Sequence, residues 1–249
     1  MNFNTKPFIS VITVVLNDIK GIEQTILSII NQTYHDIEYI IIDGGSTDGT
    51  VDIIKKYADK ITYWISEPDK GIYDAMNKGI VSATGDWINF MNAGDRFVDE
   101  NVLSQIFCNE QSDSYDVLFG NTLLINPKKN TQHNIYAENY TIKRPMSFCH
   151  QSVFVKTRWY KQFLFDENYK ICADKDFFIK ISRNGAKFLN TNLFISEILM
   201  FGFSTQQRYK NLMETNDIFM KYDLRTRIEG LCFNVKAIIE EIILFVIRR

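Results

Sequence analysis

The stretch IEYIIIDGGSTDGT, residues 37–50, decides how the chain is read. Ile37 to Ile42 is an apolar, largely β-branched run with little polar alternation, as expected of a strand covered on both faces. It stops at Asp43, and Gly44 to Thr50 is a turn-rich loop ahead of a helix predicted over Val51 to Tyr57. Working outward, Phe8 to Leu16 (FISVITVVL) is another buried strand, and Ile22 to Ile30 places its apolar residues at helical spacing. Ile61 to Ile65 gives a third short strand, residues 72–82 a helix, and Trp87 to Met91 a fourth strand that ends at Asn92-Ala93-Gly94-Asp95. Strands alternating with helices of this length imply a parallel sheet with right-handed crossovers. Such sheets bind ligands at the carboxyl ends of their strands. Three of those ends carry acidic or small polar residues, namely Asn17-Asp18, Asp43 to Asp48 and Asn92 to Asp95.

The second half is less regular. Asp116 to Ile125 and Ser152 to Val155 read as strands, Asp174 to Asn184 as a helix, and the tail from Tyr209 as helical with a break near Gly230. The 249 residues suffice for one large α/β domain with a small appendage, and an apolar fraction of 45% is ordinary for a globular protein. A net charge of -2 gives no sign of nucleic-acid binding. Cys108, Cys149, Cys172 and Cys232 lack metal-ligand or redox spacing, so they are expected as reduced, mostly buried thiols of a cytosolic protein. Met1 to Pro7 lacks the apolar core of a signal peptide, and no apolar run reaches the roughly 18–20 residues that span a bilayer.

Each candidate residue has a functional and a plain structural reading. Asp43 ends a buried strand, where its carboxylate can accept the imino N–H of a uracil; the alternative is a strand-to-helix turn with Asp48 or Ser46 as cap. The loop glycines, Gly45 among them, let a ligand approach the backbone. It is not the dinucleotide fingerprint. Asp95, with phosphate oxygens and water, is a normal way to hold Mn²⁺ or Mg²⁺, and the alternative is a cap ahead of Val98-Asp99-Glu100. Asp174 can serve as a general base if a cleft raises its pKa, and the alternative, shared with Asp176, is charge complementarity at a helix N-terminus. His150 is placed to touch a diphosphate, a metal or an acceptor, or else is a buried, hydrogen-bonded histidine.

Taken in order, these pieces resemble the family 2 glycosyltransferases, which have the GT-A fold. The resemblance is carried by Ser10 to Val15 with Asn17, Ile42 to Thr50, Glu67-Pro68-Asp69-Lys70-Gly71 with Asn77-Lys78-Gly79-Ile80, Ala83-Thr84-Gly85-Asp86-Trp87, Asn92 to Asp95 and Asp174. It covers residues 8–100 strongly and 145–185 moderately. It implies a Rossmann-like, mostly parallel sheet flanked by helices, with a helical C-terminal tail. It implies that Asp43 contacts the nucleobase, that Asp95 is the metal ligand of a D-x-D-type motif, and that Asp174 is the base of an inverting transfer. Gly45, Asp69, Asp86 and Asn92 join Asp43 as expected nucleotide contacts. Two departures stand out: Gly44 replaces the second Asp of the usual Asp-Asp-Gly-Ser, and Asn92-Ala93-Gly94-Asp95 keeps one carboxylate where many members have more.

The expected protein is thus an inverting glycosyltransferase that uses a nucleotide-sugar, of which a UDP-sugar is the leading form, with Mn²⁺ or Mg²⁺. Its acceptor is expected to be a glycan or lipid-linked saccharide of cell-surface polysaccharide assembly. Residues 1–100 form the nucleotide-sugar half, 101–205 the acceptor half and 206–249 a helical extension. Ala237 to Ile247, followed by Arg248 and Arg249, is too short to span a membrane. It reads either as a peripheral contact with the inner membrane face or as packing on the main domain or on a second subunit. The rivals are a nucleotidyltransferase, which would need a Gly-rich basic loop after the first strand, and a sugar-nucleotide-binding scaffold without catalysis.

Overall fold

The computed structural model describes residues 7–108, 114–200 and 207–235. Four strands, β1 (Ile9–Val15), β2 (Ile37–Asp43), β3 (Tyr63–Ser66) and β4 (Trp87–Phe90), lie parallel in the order β3-β2-β1-β4. Their register aligns Val15 with Asp43 and Asp43 with Ser66, so the carboxyl ends share one edge. The chain leaves β1 toward β2 and later returns to its other side as β4. This is the topological switch at which α/β sheets open a crevice.

Beyond β4 the sheet changes character. Strand β8 (Val153–Lys156) runs antiparallel to β4 and to β6 (Val117–Asn126), and β6 lies parallel to β9 (Phe188–Leu199). Two short strands, β5 (Arg96–Phe97) on β9 and β7 (Thr131–Ile135) on β6, complete the sheet. Neither had been expected from the sequence.

Strand side chains alternate between faces. Ile12, Val14, Ile40, Ile42 and Phe90 pack under α3 (Ile72–Ser82), α5 (Thr157–Gln162) and α6 (Ala173–Arg183). Val11, Val15, Tyr39 and Ile41 pack under α1 (Ile22–Ile30), α2 (Thr50–Lys56) and α4 (Val102–Phe107). That double coverage is why β1 and β2 read as unbroken apolar runs. At the far edge, Glu38 accepts hydrogen bonds from Ser10 Oγ, Thr84 N and Thr84 Oγ1, closing the amino ends of the strands.

Helix α7 (Arg208–Lys221) packs on α6. The break that follows falls at 222–226, where Asp223 has a φ of 52°, and not at Gly230. Gly230 lies inside a further helical stretch, 227–235, where a Cβ would come within 2.6 Å of Met220 Sδ. The glycine permits close packing and does not end a helix. The expected amphipathic segment from Ala237 to Ile247 lies outside the described residues. Among the described residues, no helix is long and apolar enough to cross a membrane. All four cysteines are free, and Cys108 and Cys232 are exposed, which corrects the expectation of mostly buried thiols.

Gly79 tests how tightly α3 sits on the sheet. A Cβ there would lie 2.6 Å from Ile12 Cγ2, and Ile12 is fully buried on the central strand. Alanine gains about 1 kcal/mol of helix propensity, but overpacking a core costs about 1–3 kcal/mol. Gly79→Ala is therefore expected to lower stability in urea unfolding despite the better helix former.

Candidate active site

The loops after β1 and β2 are stapled to each other. Asn17, in the left-handed region at φ 51°, receives Thr47 N on Oδ1 at 2.9 Å and donates its own N–H to Ser46 Oγ at 2.7 Å. Asp18 N goes to Thr50 Oγ1 at 3.1 Å and Ile19 N to Asp48 Oδ2 at 3.0 Å. Asp48 also accepts Thr50 N at 3.0 Å, but the cap position of α2 is Gly49, at φ 101°, and not Asp48 or Ser46 as expected.

Asp43 is fully buried. Its carboxylate takes Gly45 N at 3.1 Å, Ser46 N at 2.9 Å, Ser66 Oγ at 2.6 Å and the Ser46 hydroxyl. This corrects the expectation that Asp43 is free to meet a nucleobase: four donors of its own loops already satisfy it. Gly45 likewise spends its N–H on Asp43, and its φ of 87° accounts for the glycine. The carboxylate standing over this loop belongs to Asp69. A Cβ on Gly44 would lie 2.3 Å from Asp69 Oδ2, so the missing side chain at 44 leaves room for that oxygen. Asp69 Oδ1 is anchored by Gly71 N at 2.9 Å.

Asp86 also needs correction. Its carboxylate receives Phe8 N at 2.9 Å, just ahead of β1. That is the amino edge of the sheet, about 20 Å from the crevice at ~3.3 Å per strand residue. Asp86 splices β1 to β4 and cannot touch a nucleotide bound at the carboxyl edge.

Asp95 lies at that carboxyl edge and caps no helix: α4 begins after Asn101. Its carboxylate accepts Gln151 Nε2 at 2.7 Å and the Leu199 N–H. Burial outweighs both donors and, with nearby Asp18, pushes its pKa up to about 7. The loop is hung from α1 by Thr25, whose buried hydroxyl donates to Asp95 O at 2.6 Å and accepts Gly94 N at 3.0 Å. Asn92 Oδ1 is buried without a partner. No cluster of three His, Cys, Asp or Glu able to hold a metal exists among the described residues. Asp95 and the open Asn92 oxygen fit a divalent ion only if a ligand supplies further oxygens.

His150 stacks on Phe90 with ring centroids 5.4 Å apart and also meets Phe165. Burial lowers its pKa to about 4, and both ring nitrogens lack partners. It is a neutral imidazole with unused hydrogen-bonding capacity. Burial pushes the neighbouring Cys149 thiol up, which leaves it a poor nucleophile.

Asp174 opens α6 on the other side of this aromatic floor, against Tyr73 and Tyr160. Burial raises its pKa to about 6, opposed by Lys175, whose backbone N–H binds Asp174 Oδ1 at 2.8 Å. Asp176 is different: it is buried and paired with Lys180 at 3.1 Å and Lys221 at 2.7 Å. The structure therefore separates two neighbouring acids into one half-buried carboxylate with a raised pKa and one structural ion pair. Asp95 and Asp174 approach the same floor, Asp95 through Gln151 beside His150 and Asp174 through Tyr160, which packs on both Phe90 and Phe165. Asp43, Gly45 and Asp69 sit at the β2 end, and Asp86 is remote. Sequence reading missed Thr25, Gln151 and Leu199, which act through contacts distant in sequence.

A parallel half with acidic loops at its carboxyl edge, joined to a mixed half in one sheet, is the GT-A fold. Solved structures share it. TarS of S. aureus (residues 1–349), in complex with UDP-GlcNAc, has a TM-score of 0.68 at 16% identity, covering 92% of this chain and 71% of that one. The mannosyltransferase PcManGT from Pyrobaculum calidifontis, in complex with GDP-Man and Mn²⁺, has a TM-score of 0.65 at 16% identity, covering 90% and 66%. Residues 10–172 match the glycosyl transferase family 2 model, and the chain belongs to that family. A PGL/p-HBAD biosynthesis glycosyltransferase of Mycobacterium bovis is 31% identical over 191 residues, covering 72% of each chain. An uncharacterized glycosyltransferase of Mycobacterium tuberculosis is 45% identical over 100 residues, which is 40% of this chain and 38% of that protein.

Thr25→Val removes the hydroxyl and leaves the Gly94 N–H without its acceptor. A buried unsatisfied donor costs about 1–3 kcal/mol. Thermal unfolding is expected to show that loss, and nucleotide binding that depends on Asp95 is expected to weaken with it.

Proposed function

We propose that this chain transfers a sugar, with inversion, from a UDP-sugar to a hydroxyl of a glycan or lipid-linked saccharide in cell-surface polysaccharide assembly. The observation that carries this reading is the pair of under-compensated carboxylates, Asp95 and Asp174, linked through Gln151 and the aromatic cluster of Phe90, Tyr160 and Phe165. Asp174 is the base. Its pKa of about 6 leaves it ionised near neutrality yet basic enough to take the acceptor's proton. As the O–H proton passes to Asp174, the oxygen attacks the anomeric carbon, the bond to the diphosphate breaks opposite it, and the nucleoside diphosphate departs with the electron pair.

Asp95 holds Mn²⁺ or Mg²⁺ together with donor phosphate oxygens, and Asn92 offers its open amide oxygen to the same cluster. When bound, the ion neutralises charge on the leaving diphosphate. His150 stays neutral and hydrogen-bonds the diphosphate or the acceptor without competing for the proton. Asp69, over Gly44, presents the carboxylate that meets the base of the nucleotide, while Asp43 shapes the loop beneath it.

The first rival, a nucleotidyltransferase, is disfavoured by the β1 loop. The backbone N–H groups of Asn17, Asp18, Ile19 and Gly21, four of the five in this loop, are committed within the protein, which leaves too few to cradle a triphosphate. A non-catalytic binding scaffold is disfavoured by the raised pKa of Asp174, since an acid kept poorly compensated has no structural benefit.

Turnover on Asp174→Asn separates enzyme from scaffold. Transfer is expected to fall about 10²–10⁴-fold with UDP binding retained; unchanged transfer would sink the assignment. In the unmodified protein, kcat should rise with pH through a midpoint near 6, because only ionised Asp174 accepts the proton. The stability effect runs the other way. A carboxyl whose folded pKa is raised favours folding below its ordinary value of 3.8, and that contribution disappears as pH climbs through about 6. Asp174→Asn is therefore expected to melt higher than the parent at pH 8. Calorimetric titration of UDP checks the donor side: binding should require Mn²⁺ or Mg²⁺ and should weaken at least tenfold in Asp95→Ala.

A further inference from the structure

The segment that carries Asp174 is held from behind by α7. Glu214, in the middle of α7, accepts three backbone N–H groups in succession: Lys170 on Oε1 at 2.9 Å, and Ile171 and Cys172 on Oε2, each at 2.9 Å. Those are the last free amides before α6, and Asp174 follows two residues later. A carboxylate has about four acceptor sites, so Glu214 commits most of its capacity to this turn. Two further contacts close the clamp. Lys175 Nζ reaches across to Thr215 Oγ1 at 2.6 Å and Asn211 Oδ1 at 3.1 Å. From the opposite side, Tyr73 on α3 donates its hydroxyl to Ile171 O at 2.7 Å.

We propose that Glu214 is a positioning residue for Asp174, so that α7 is part of the catalytic unit and not an appendage. The inference rests on Asp174 being the base, as argued above. A general base works within hydrogen-bond reach of the proton it takes, and a misplacement of about 1 Å can cost about 10²-fold in rate. Among the described contacts the Asp174 carboxyl is met by two backbone amides, that of Lys175 and its own, both at the start of α6, so the path of the chain through 170–173 sets where the carboxyl points. Glu214 also adds a negative charge to the surroundings of Asp174. The other groups facing it are Lys175 on its own helix, Cys172 in the turn, Tyr73 on α3 and Tyr160 on α5.

The test uses the full chain and follows UDP release from UDP-GlcNAc and UDP-glucose, with UDP–Mn²⁺ calorimetry and a ¹³C NMR titration of the Asp174 carboxyl, identified as the signal missing from D174N. In E214Q, kcat is expected to fall 10- to 100-fold while the UDP dissociation constant stays within twofold. The Asp174 midpoint should move to lower pH, because a neighbouring negative charge is gone. E214D, which keeps the charge but shortens its reach, should lose rate with the midpoint unmoved; it also stands in if E214Q does not fold. Adding E214Q to D174N should cost nothing further, as two parts of one device are not additive. A wild-type rate and midpoint in E214Q, with D174N inactive, would overturn this inference alone. Loss of UDP binding in step with rate would reduce Glu214 to a fold-stabilising residue. Full turnover by D174N would overturn the base assignment and this inference together.

Discussion

A carboxylate taken out of water must find replacement donors, or its charged form becomes costly by several kcal/mol. This chain applies that constraint in two ways, and the arrangement of the molecule follows from the difference. Asp43, Glu38, Asp176 and Glu214 each have two or more partners within the protein, and each ties together segments far apart in sequence. Asp43 joins β2 to the start of the loop after β3, Glu38 closes the amino edge, Asp176 anchors α7 and Glu214 holds the turn before α6. Asp95 and Asp174 are given too few, and their pKa values rise accordingly. The satisfied acids make the scaffold. The unsatisfied ones sit where a ligand can complete them.

This distinction explains what the sequence could reveal. Helices α1 and α3 were legible to the residue, because an apolar stripe at helical spacing and a flanking glycine are local signals. Strands β1, β2 and β4 were legible because burial on both faces leaves unbroken apolar runs, whereas β3 is half exposed and begins at Tyr63, two residues after the expected Ile61. Asp95 and Asp174 were legible as carboxylates at suggestive places. What each of the other acids does was not. Asp43 and Asp69 both look like ligand contacts until the hydrogen bonds show that the first is consumed by its own loop. Asp86 follows a turn just as Asp95 does, and only the register of β4 on β1 places it at the wrong edge. Strand β5 is two residues long and β7 is exposed along almost its whole length, so neither carries an apolar run to detect. Thr25, Gln151 and Glu214 act over 70, 56 and more than 40 positions, and pairings of that kind have no local signature.

The two halves of the sheet make separate contributions. The parallel half brings Asn17, Asp69, Asn92 and Asp95 to one edge by register alone, since all four follow strands whose ends are aligned. The mixed half cannot do this, and it uses packing. Phe165 meets Phe90 of β4, Tyr160 of α5 and Phe177 of α6, so a single aromatic cluster links the strand that ends at Asp95 to the helix that begins at Asp174. Rings interlocked in this way resist shear better than a polar loop, which suits a spacing that a reaction depends on.

His150 shows how burial divides the titratable groups of this site. A histidine is the common choice for moving protons near neutrality, and one sits on the floor of this site. Stacked on Phe90 and buried, its ring is held at a pKa of about 4, well below the range in which it could take a proton and keep it. The same burial acts in the opposite direction on an acid, raising Asp174 to about 6. One apolar environment therefore disables the base that would ordinarily serve and promotes the one that ordinarily would not. It leaves the imidazole neutral, with both ring nitrogens buried and without a hydrogen-bond partner.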